Sequence, residues 1–430
     1  MRVERGALSG RPAESAAALR RASEPSGALE AEVRDIVQWV RDGGDRAVGD
    51  LARRFDGRGA GSLMRVAEAD IACALATADP ALRTALELAA RNVRDVATAA
   101  LDDDREVHLP QGQRVVLRAV PVRRAAVYVP GGRAPYPSTV VMGAATARVA
   151  GVEEVAVCAP PAPDGGPHAA VLAACGVVGV TEVLCLGGAH AVAALAYGTE
   201  TIAPVDVVVG PGNAYVQEAK RQLAGAVGID SLAGPSELVV LLDADADARS
   251  LALDLLAQAE HGDDSPVLAV SSSGEALDAL ARELSTFSHG VGEAPAPNAT
   301  CHLLQSADLD EALAFADAFA PEHLQLAGAE AERLAPRVKS AGCLFVGAIA
   351  GTAFGDYVAG SNHVLPTGGA ARFASALSPR HFRRRIAEVH LSSGAGLDEL
   401  AEAGARIARA EGFEIHARSM EARMGENGPP

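Results

Sequence analysis

The chain has 430 residues, of which 49% are hydrophobic and 22% charged, and its formal net charge at pH 7 is −17. This length suits two to four domains with an ample core, whereas so acidic a balance argues against a nucleic-acid surface, which needs clustered Lys and Arg. The six cysteines form no CxxC pair and several lie in apolar runs, so we expect reduced core cysteines rather than disulfides.

The first hundred residues show helical periodicity. An apolar face runs from Val33 to Val40 and, beyond a break at Gly43–Gly44, from Val48 to Phe55. A further helix is predicted in ALRTALELAARNVRDVATAAL. The N-terminus has no apolar signal-peptide core, and no run reaches transmembrane length, which predicts a cytoplasmic protein without a membrane partner.

The pattern then changes to short apolar strands, each followed by a glycine-rich turn and a helix. A β-rich run, RVVLRAVPVRRAAVYVPGG, comes first, and the alternation continues to about residue 230 through EEVAVCAPP, TEVLCLGG and VDVVVGPGN. A second α/β stretch starts at ELVVLLDADAD and includes PVLAVSSS, CHLLQS and CLFVG. Such alternation predicts parallel sheets covered on both faces. The polar C-terminal stretch is predicted to be helical, as in an arm outside the core.

Three predicted strands end in glycine motifs, Pro130–Gly132, Gly187–His190 and Gly210–Asn213. Ligands of parallel-sheet proteins bind at the carboxyl ends of strands, where glycine lets the backbone approach and the next helix offers free N–H groups to a phosphate. None of the motifs is a complete GxGxxG, so each alone indicates a dinucleotide site no more strongly than an ordinary turn.

The stretch Leu251–Ser265 predicts an amphipathic helix whose apolar face is interrupted. Leu251 and Leu255 lie on that face, but the next position along it is Gln258, with His261 one turn further on. An amide and an imidazole at a buried face can be metal ligands, although Gln258 can also simply bond a backbone carbonyl.

Histidines and carboxylates also cluster in three later segments. They are Glu322 and His323 in APEHLQL, Asp356, Asn362 and His363 in GDYVAGSNHVLPTGG, and Glu411 and His416 in EGFEIHARS. A single histidine is more often a packing or surface residue than a ligand, and an aspartate can merely cap a turn. By that measure no role is assigned to His108, His168, His289, His302, His381 and His390. Together with Gln258 and His261, the clusters indicate a borderline divalent site, suited to Zn²⁺ and able to hold Mn²⁺ or Co²⁺.

Several long strings of this sequence resemble the histidinol dehydrogenase family. They are VYVPGGRAPYPSTVVMGAATARVAGV, GGAHAVAALAYGTETIAPVDVVVGPGNAYVQEAKRQLAG, LAGPSEL, DLLAQAEHGDDS, APEHLQL, GDYVAGSNHVLPTGGAAR and EGFEIHA, in the family's order. The resemblance implies an α/β fold of two Rossmann-like parallel-sheet domains, one inserted in the other, with small helical terminal segments. The implied divisions are an N-terminal segment 1–25, a first domain 26–126 plus 234–376, an inserted domain 127–233, and a C-terminal arm 377–430 contacting the partner subunit.

The resemblance also implies an activity, the zinc-dependent, NAD-linked oxidation of L-histidinol to L-histidine through L-histidinaldehyde. This is the last step of histidine biosynthesis, and it is implied to occur in a homodimer with shared active sites. The implied ligands of one zinc ion per subunit are Gln258, His261, Asp356 and, from the other chain, His416. Substrate contacts are implied for these ligands and for Ser236, His323, His363 and Glu411. NAD contacts are implied for Tyr128, His190 and Asn213.

Two residues are assigned to proton transfer by the same resemblance. His323 would be the general base for the alcohol O–H, and Glu322 would deprotonate the water that attacks the aldehyde. One position departs from the family, which usually has glutamine where this chain has His190. Imidazole is shorter and can be charged, so NAD affinity or its pH dependence is expected to differ.

Three other functions are compatible with parts of the sequence. A related dehydrogenase acting on another small alcohol, such as a sulfonated diol, would share zinc and NAD but not Glu411 or the NHVLPTGG loop. A zinc hydrolase would not need the glycine-rich strand ends. A non-catalytic scaffold would be expected to lack Glu322, His323 or the metal ligands, and all of them are present.

Overall fold

In the computed structural model, residues 1–8, 11–21, 27–57, 64–131, 134–163, 165–287 and 297–424 are described. Gly132 of the first glycine motif and His289 lie outside these ranges. The chain divides into two compact units. The first comprises Met1–Ala100 and Val122–Phe382, and the second comprises Leu101–Pro121 and Arg383–Pro430.

The described elements alternate between strand and helix over most of the chain. The strands are β1 (Arg2–Ala7), β2 (Arg105–His108), β3 (Arg114–Pro121), β4 (Arg124–Tyr128), β5 (Glu154–Ala159), β6 (Glu182–Cys185), β7 (Val207–Val209), β8 (Gly228–Ile229), β9 (Leu238–Leu242), β10 (Val267–Ser271), β11 (Thr300–Gln305), β12 (His323–Ala327), β13 (Cys343–Val346) and β14 (Arg383–His390). The helices are α1 (Pro12–Arg21), α2 (Gly27–Phe55), α3 (Glu68–Thr77), α4 (Pro80–Ala99), α5 (Pro137–Val149), α6 (Ala169–Val177), α7 (Gly188–Tyr197), α8 (Ala214–Leu223), α9 (Ala248–Ala259), α10 (Gly274–Thr286), α11 (Leu309–Phe319), α12 (Ala329–Glu332), α13 (Thr352–Tyr357), α14 (Ala395–Ala410) and α15 (Glu414–Glu421).

The first unit contains two parallel sheets. A five-stranded sheet has the order β6-β5-β4-β7-β8, and a six-stranded sheet has the order β1-β11-β10-β9-β12-β13. The central strands are β4 in the five-stranded sheet and β9 in the six-stranded sheet. From each central strand the following strands are added first on one side and then on the other, as in a Rossmann fold. Apolar clusters cover both faces of each sheet, as the continuous apolar strands predicted.

The predicted break in the first long helix is confirmed. Gly44 adopts non-helical dihedrals (φ 51°, ψ −138°), which kinks α2. This backbone conformation strongly favours glycine, and a Cβ at this residue would also meet the Glu200 carboxylate.

The second unit is a three-stranded antiparallel sheet, β14-β3-β2, together with α14 and α15. The two helices pack through Ala405, Ala408 and Ala417 with Met420 against them. β14 was not expected, because its sequence RRRIAEVH is polar and the C-terminal stretch was predicted to be helical. β14 forms because its backbone pairs with that of β3, although its composition does not predict a strand.

The N-terminal segment also differs from the prediction. Residues Arg2–Ala7 form an edge strand, β1, parallel to β11, before the helix α1 begins. Its side chains are mostly exposed, so no apolar pattern marked it. Among the helices of the described residues, none combines the length and apolar character needed to cross a bilayer.

Candidate active site

The predicted bases Glu322 and His323 lie at the amino edge of the six-stranded sheet. His323 is the first residue of β12 and is aligned with Leu238 at the start of β9. Because parallel neighbours begin at the same edge, the residues just before β9, Ser236 and Glu237, meet Glu322 there.

A hydrogen-bonded chain of polar side chains holds Glu322. Its Oε2 accepts from the Ser236 hydroxyl (2.5 Å) and from the backbone N–H of Glu237 (2.8 Å). Ser236 Oγ in turn accepts from Nε2 of Gln258 (2.7 Å). Gln258 is only 2% exposed at the end of α9, so the polar residue on the apolar helix face is confirmed as buried. This bond uses the amide nitrogen and orients the amide, whose oxygen is the atom that binds metals.

His323 is buried between two carboxylates. Its Nδ1 lies 3.1 Å from the backbone oxygen of Glu237, and since a carbonyl only accepts, this nitrogen carries the hydrogen. Its Nε2 faces Asp356 Oδ1 at 3.5 Å, and Nδ1 lies 3.5 Å from Glu322 Oε2. Burial alone would lower the pKa of His323, but the two carboxylates raise it well above the ordinary value. The two carboxylates therefore stabilise the imidazolium that forms when the neutral ring accepts a proton.

Asp356 lies on the short helix α13. Burial acts to raise the pKa of Asp356, but the hydrogen bond from His323 and the nearby imidazoles of His363 and His261 hold it below the ordinary value. The group is therefore an anion at neutral pH, the form required of a metal ligand.

His363 joins the amino edge of this sheet to helix α5 of the other sheet. Its Nδ1 donates to the backbone oxygen of Asp356 (2.8 Å), and its Nε2 lies 3.1 Å from Oγ1 of Thr139. The neighbouring Asn362 donates to the backbone oxygen of Met142 on the same helix (3.1 Å). Burial lowers the pKa of His363, so the ring is neutral at neutral pH.

The remaining predicted ligands and contacts are more exposed. His261 follows the end of α9 and is exposed, with its backbone N–H on the Gln258 carbonyl (3.3 Å). Glu411 ends α14 and His416 lies on α15, both exposed and both in the second unit. Among the described residues, no group of three or more His, Cys, Asp or Glu side chains is arranged to hold a metal ion. Of the predicted zinc ligands, only His261 and Asp356 are His, Cys, Asp or Glu residues within the first unit.

The predicted NAD contacts lie at the carboxyl edge of the five-stranded sheet. Tyr128 ends β4, and its hydroxyl accepts from the backbone N–H of Gly188 (3.0 Å) at the start of α7. Gly210, with φ 111°, passes so close that a Cβ there would lie 2.1 Å from the Tyr128 carbonyl oxygen. Asn213 caps α8 by accepting from the N–H of Val216 (3.2 Å). The chain crosses from one side of the sheet to the other between β4 and β7, where ligands of such folds bind.

His190 is held by an aspartate that the sequence did not single out. The side chain of His190 is buried, and its Nε2 lies 3.1 Å from Asp56 Oδ2. The same oxygen accepts from the backbone N–H of Gly187 (3.1 Å). In this chain the imidazole is therefore tied to the glycine motif through Asp56, and its predicted contact with NAD stays a prediction.

Comparison with known proteins decides the family. The model of the family described as Histidinol dehydrogenase matches residues 19–424. The chain belongs to the histidinol dehydrogenase family. It is 43% identical over 414 residues to the histidinol dehydrogenase of Mesorhizobium japonicum (strain LMG 29417 / CECT 9101 / MAFF 303099), covering 95% of this chain and 96% of the relative. With the histidinol dehydrogenase of Pseudomonas syringae pv. tomato it shares 42% identity over 398 residues, 91% of this chain and 88% of the relative.

A solved structure of the family has the same fold. The crystal structure of histidinol dehydrogenase from Elizabethkingia anophelis matches with a TM-score of 0.89 at 28% identity, covering 98% of each chain. The predicted resemblance to the histidinol dehydrogenase family and the predicted α/β fold class are thereby confirmed, and the chain is a member of a family of oxidoreductases.

Some polar residues of this family member were missed from the sequence. A buried pair, Lys220 and Asp230, holds Gly210 through both of its backbone groups: Lys220 Nζ donates to Gly210 O (3.0 Å), and Gly210 N–H donates to Asp230 Oδ2 (2.7 Å). A lysine in AYVQEAKRQLAG resembles an ordinary charge on a helix face, so its burial could be read only from the tertiary structure.

Proposed function

We propose that the protein catalyses the zinc-dependent, NAD-linked oxidation of L-histidinol to L-histidine through L-histidinaldehyde, the last step of histidine biosynthesis. The observation that carries this proposal is the burial of Glu322 and His323 against Ser236, Gln258 and Asp356 in a member of the histidinol dehydrogenase family. Two proton acceptors side by side suit a reaction that removes a proton in each of two successive steps.

The ligand set suits zinc in its chemistry. Asp356 is anionic, and the bond of Gln258 to Ser236 leaves the amide oxygen as the ligating atom. When bound, zinc would be held by Gln258, His261, Asp356 and His416 of the partner subunit, and it would anchor the substrate's amine and imidazole nitrogens. Nδ1 of His323 donates to the backbone oxygen of Glu237, which leaves Nε2 as the ring atom that can take a proton from the substrate.

The carboxyl edge of the five-stranded sheet suits NAD. The helices α7 and α8 begin at the ends of β6 and β7, and the N–H groups of their first turns can meet a pyrophosphate. When bound, NAD would accept one hydride in each oxidation. Tyr128, His190 and Asn213 are the proposed cofactor contacts, and Ser236, His323, His363 and Glu411 the proposed substrate contacts besides the metal ligands.

The chain's own residues would move the protons. His323 would take the proton of the substrate alcohol on Nε2, and the neighbouring carboxylates of Glu322 and Asp356 stabilise the resulting imidazolium. Glu322 would take a proton from the water that adds to the aldehyde. Because both acceptors are buried in one site, the aldehyde can be oxidised without first escaping to solvent.

We also propose a homodimer with shared sites, in which residues 377–430 form an arm that contacts the partner and residues 127–233 are a domain inserted between 26–126 and 234–376. Exposed apolar side chains support the arm, since Ile407, Phe413 and Ile415 are 61%, 53% and 83% exposed. Sedimentation analysis of the wild type and of an Ile415→Glu variant tests this, with dissociation expected for the variant. A monomeric wild type would exclude the shared site.

A combined measurement tests the proposed function. Elemental analysis is expected to find one zinc ion per subunit, and the purified enzyme is expected to form two NADH for each L-histidinol consumed. Removal of the metal with a chelator should abolish NADH formation, and added Zn²⁺ should restore it. A yield of one NADH, or activity with another small diol but not with L-histidinol, would contradict the proposal.

Replacing Asp56 with alanine should raise the KM for NAD about tenfold or more. The change removes the acceptor of the Gly187 N–H and the partner of His190, and hydrogen bonds to charged groups contribute about 1.5–3 kcal/mol. The KM for L-histidinol should not change. Asp50, which pairs with exposed Arg53 on the same helix, provides the control, and Asp50→Ala should leave both constants unaltered. Equal effects of the two substitutions would argue against a role of Asp56 at the cofactor site.

A further inference from the structure

An ion pair with a buried carboxylate and a partly buried guanidinium lies next to the Glu322–His323 pair. Arg20, on α1, donates from Nη1 to Glu237 Oε1 (2.6 Å) and from Nη2 to Glu237 Oε2 (3.0 Å), and the Glu237 side chain is 2% exposed. A bidentate arginine–carboxylate pair fixes both direction and distance. Burial raises the pKa of the Glu237 carboxyl, and Arg20 opposes that shift, so loss of the guanidinium would favour the neutral acid.

Glu237 contacts both proposed bases with its backbone and its side chain. Its N–H donates to Glu322 Oε2 (2.8 Å), and its carbonyl accepts from the backbone N–H and from Nδ1 of His323 (3.1 Å each). Its carboxylate accepts from the backbone N–H groups of Glu322 (3.3 Å) and Gly368 (2.9 Å). A shift of this one residue would therefore move both proton acceptors.

Arg20 also holds the turn that leads into Glu322. Its Nε donates to the backbone oxygen of Phe319 (2.9 Å), its Nη2 donates to that of Ala320 (3.3 Å), and its guanidinium lies 3.9 Å from the centre of the Phe319 ring. Ala320 has φ 49°, a left-handed conformation that is unfavourable for alanine and needs support from its surroundings. Pro321 and then Glu322 follow directly, so the guanidinium fixes the approach to β12.

We propose that Arg20 and Glu237 are positioning residues that set the geometry of Glu322 and His323 toward the substrate. The proposal rests on the proposed function for the roles of those two bases. Arg20 joins helix α1 near the N-terminus to a site built from residues more than two hundred positions later, and neither residue needs to touch the substrate. Misplacement of a reacting group by about 1 Å can cost about 100-fold in rate.

The test uses the number of NADH formed per L-histidinol, because this ratio does not depend on how much of the enzyme is folded. In Arg20→Met and Glu237→Gln, kcat per folded subunit should fall about 10- to 100-fold with little change in KM. Misplaced Glu322 should slow aldehyde hydration, so the ratio should drop below two while aldehyde is captured by a trapping reagent. Arg20→Lys, which keeps the charge but not the bidentate contact, should give intermediate values and serves if Arg20→Met does not fold.

Arg11, which directly precedes α1 and pairs with exposed Glu14 of that helix, supplies the matched control, and Arg11→Met should behave as the wild type. The proposal is overturned if Arg20→Met, Arg20→Lys and Glu237→Gln retain a ratio of two and lose activity only in proportion to their folded fraction. A wild-type enzyme that does not oxidise L-histidinol would instead overturn the proposed function.

Discussion

Replacing Glu322 with glutamine should reduce the yield from two NADH per L-histidinol to one. Glutamine can still accept hydrogen bonds from Ser236 and from the Glu237 N–H, so the geometry is retained while the basic group is lost. The water that adds to the aldehyde then lacks its base, and general-base catalysis contributes about 10²- to 10⁴-fold. His323→Asn should lower the rate of the first NADH by a similar factor, because that base acts on the alcohol.

Rapid-mixing absorbance of NADH, with the aldehyde trapped chemically, distinguishes the two variants. Glu330, an exposed residue paired with Arg333, provides a matched control, since Glu330→Gln should keep both oxidation steps at wild-type rates. If Glu322→Gln still forms two NADH at the wild-type rate, the assignment of the second step to Glu322 is wrong. If His323→Asn leaves the first step unchanged, another group deprotonates the alcohol.

Replacing Lys220 with methionine should lower the free energy of unfolding by about 3–5 kcal/mol, since the loss of one partner of a buried pair leaves the other charge unpaired. The side chains of Lys220 and Asp230 are 1% and 3% exposed, so water cannot replace the lost partner. The substitution also removes the donor to Gly210 O, and the KM for NAD should rise because this loop borders Tyr128.

Denaturant unfolding of the variants measures the first effect. The double variant Lys220→Met/Asp230→Asn should recover part of the stability, because it no longer buries an unpaired charge. The neighbouring Arg221 pairs with Glu218 but is itself 47% exposed, so Arg221→Met should cost far less. Equal losses of unfolding free energy for Lys220→Met and Arg221→Met would mean that the buried pair stabilises the fold no more than the exposed one.

The central strands of both parallel sheets could be predicted from the local apolar pattern. Strands such as VVLL within β9 and AAVY within β4 are continuous apolar runs, which is the signature of strands buried on both faces. The polar strands β1 and β14 were not predicted, because each is largely exposed and depends on a partner distant in the chain for its backbone bonds. An apolar pattern predicts only strands that are buried, and β1 and β14 are largely exposed.

The residues of the candidate site could be predicted from the sequence, but their position on the sheet could not. Gln258 was recognisable because a buried amide interrupts an apolar helix face, and Glu322 and His323 because the surrounding string resembles a family. Sequence reasoning placed the glycine motifs at carboxyl strand ends but assigned no position to the proposed bases, which lie at the amino edge of the six-stranded sheet. Which edge is used depends on how the loops before β9 and β12 meet, which no single segment encodes.

The sequence by itself determined the alternation of strand and helix and the acidic character, because these depend on residue type and short-range spacing. The proposed ligands and bases were implied by its resemblance to a family. Only the tertiary structure decided that Arg20 lies against Glu237, that Asp56 holds His190, and that Lys220 is buried against Asp230. Each of these contacts joins residues on different elements, and a charged side chain has the same local signature whether it is solvated or paired. Its partner is set by strand order and helix packing, which are properties of the whole chain.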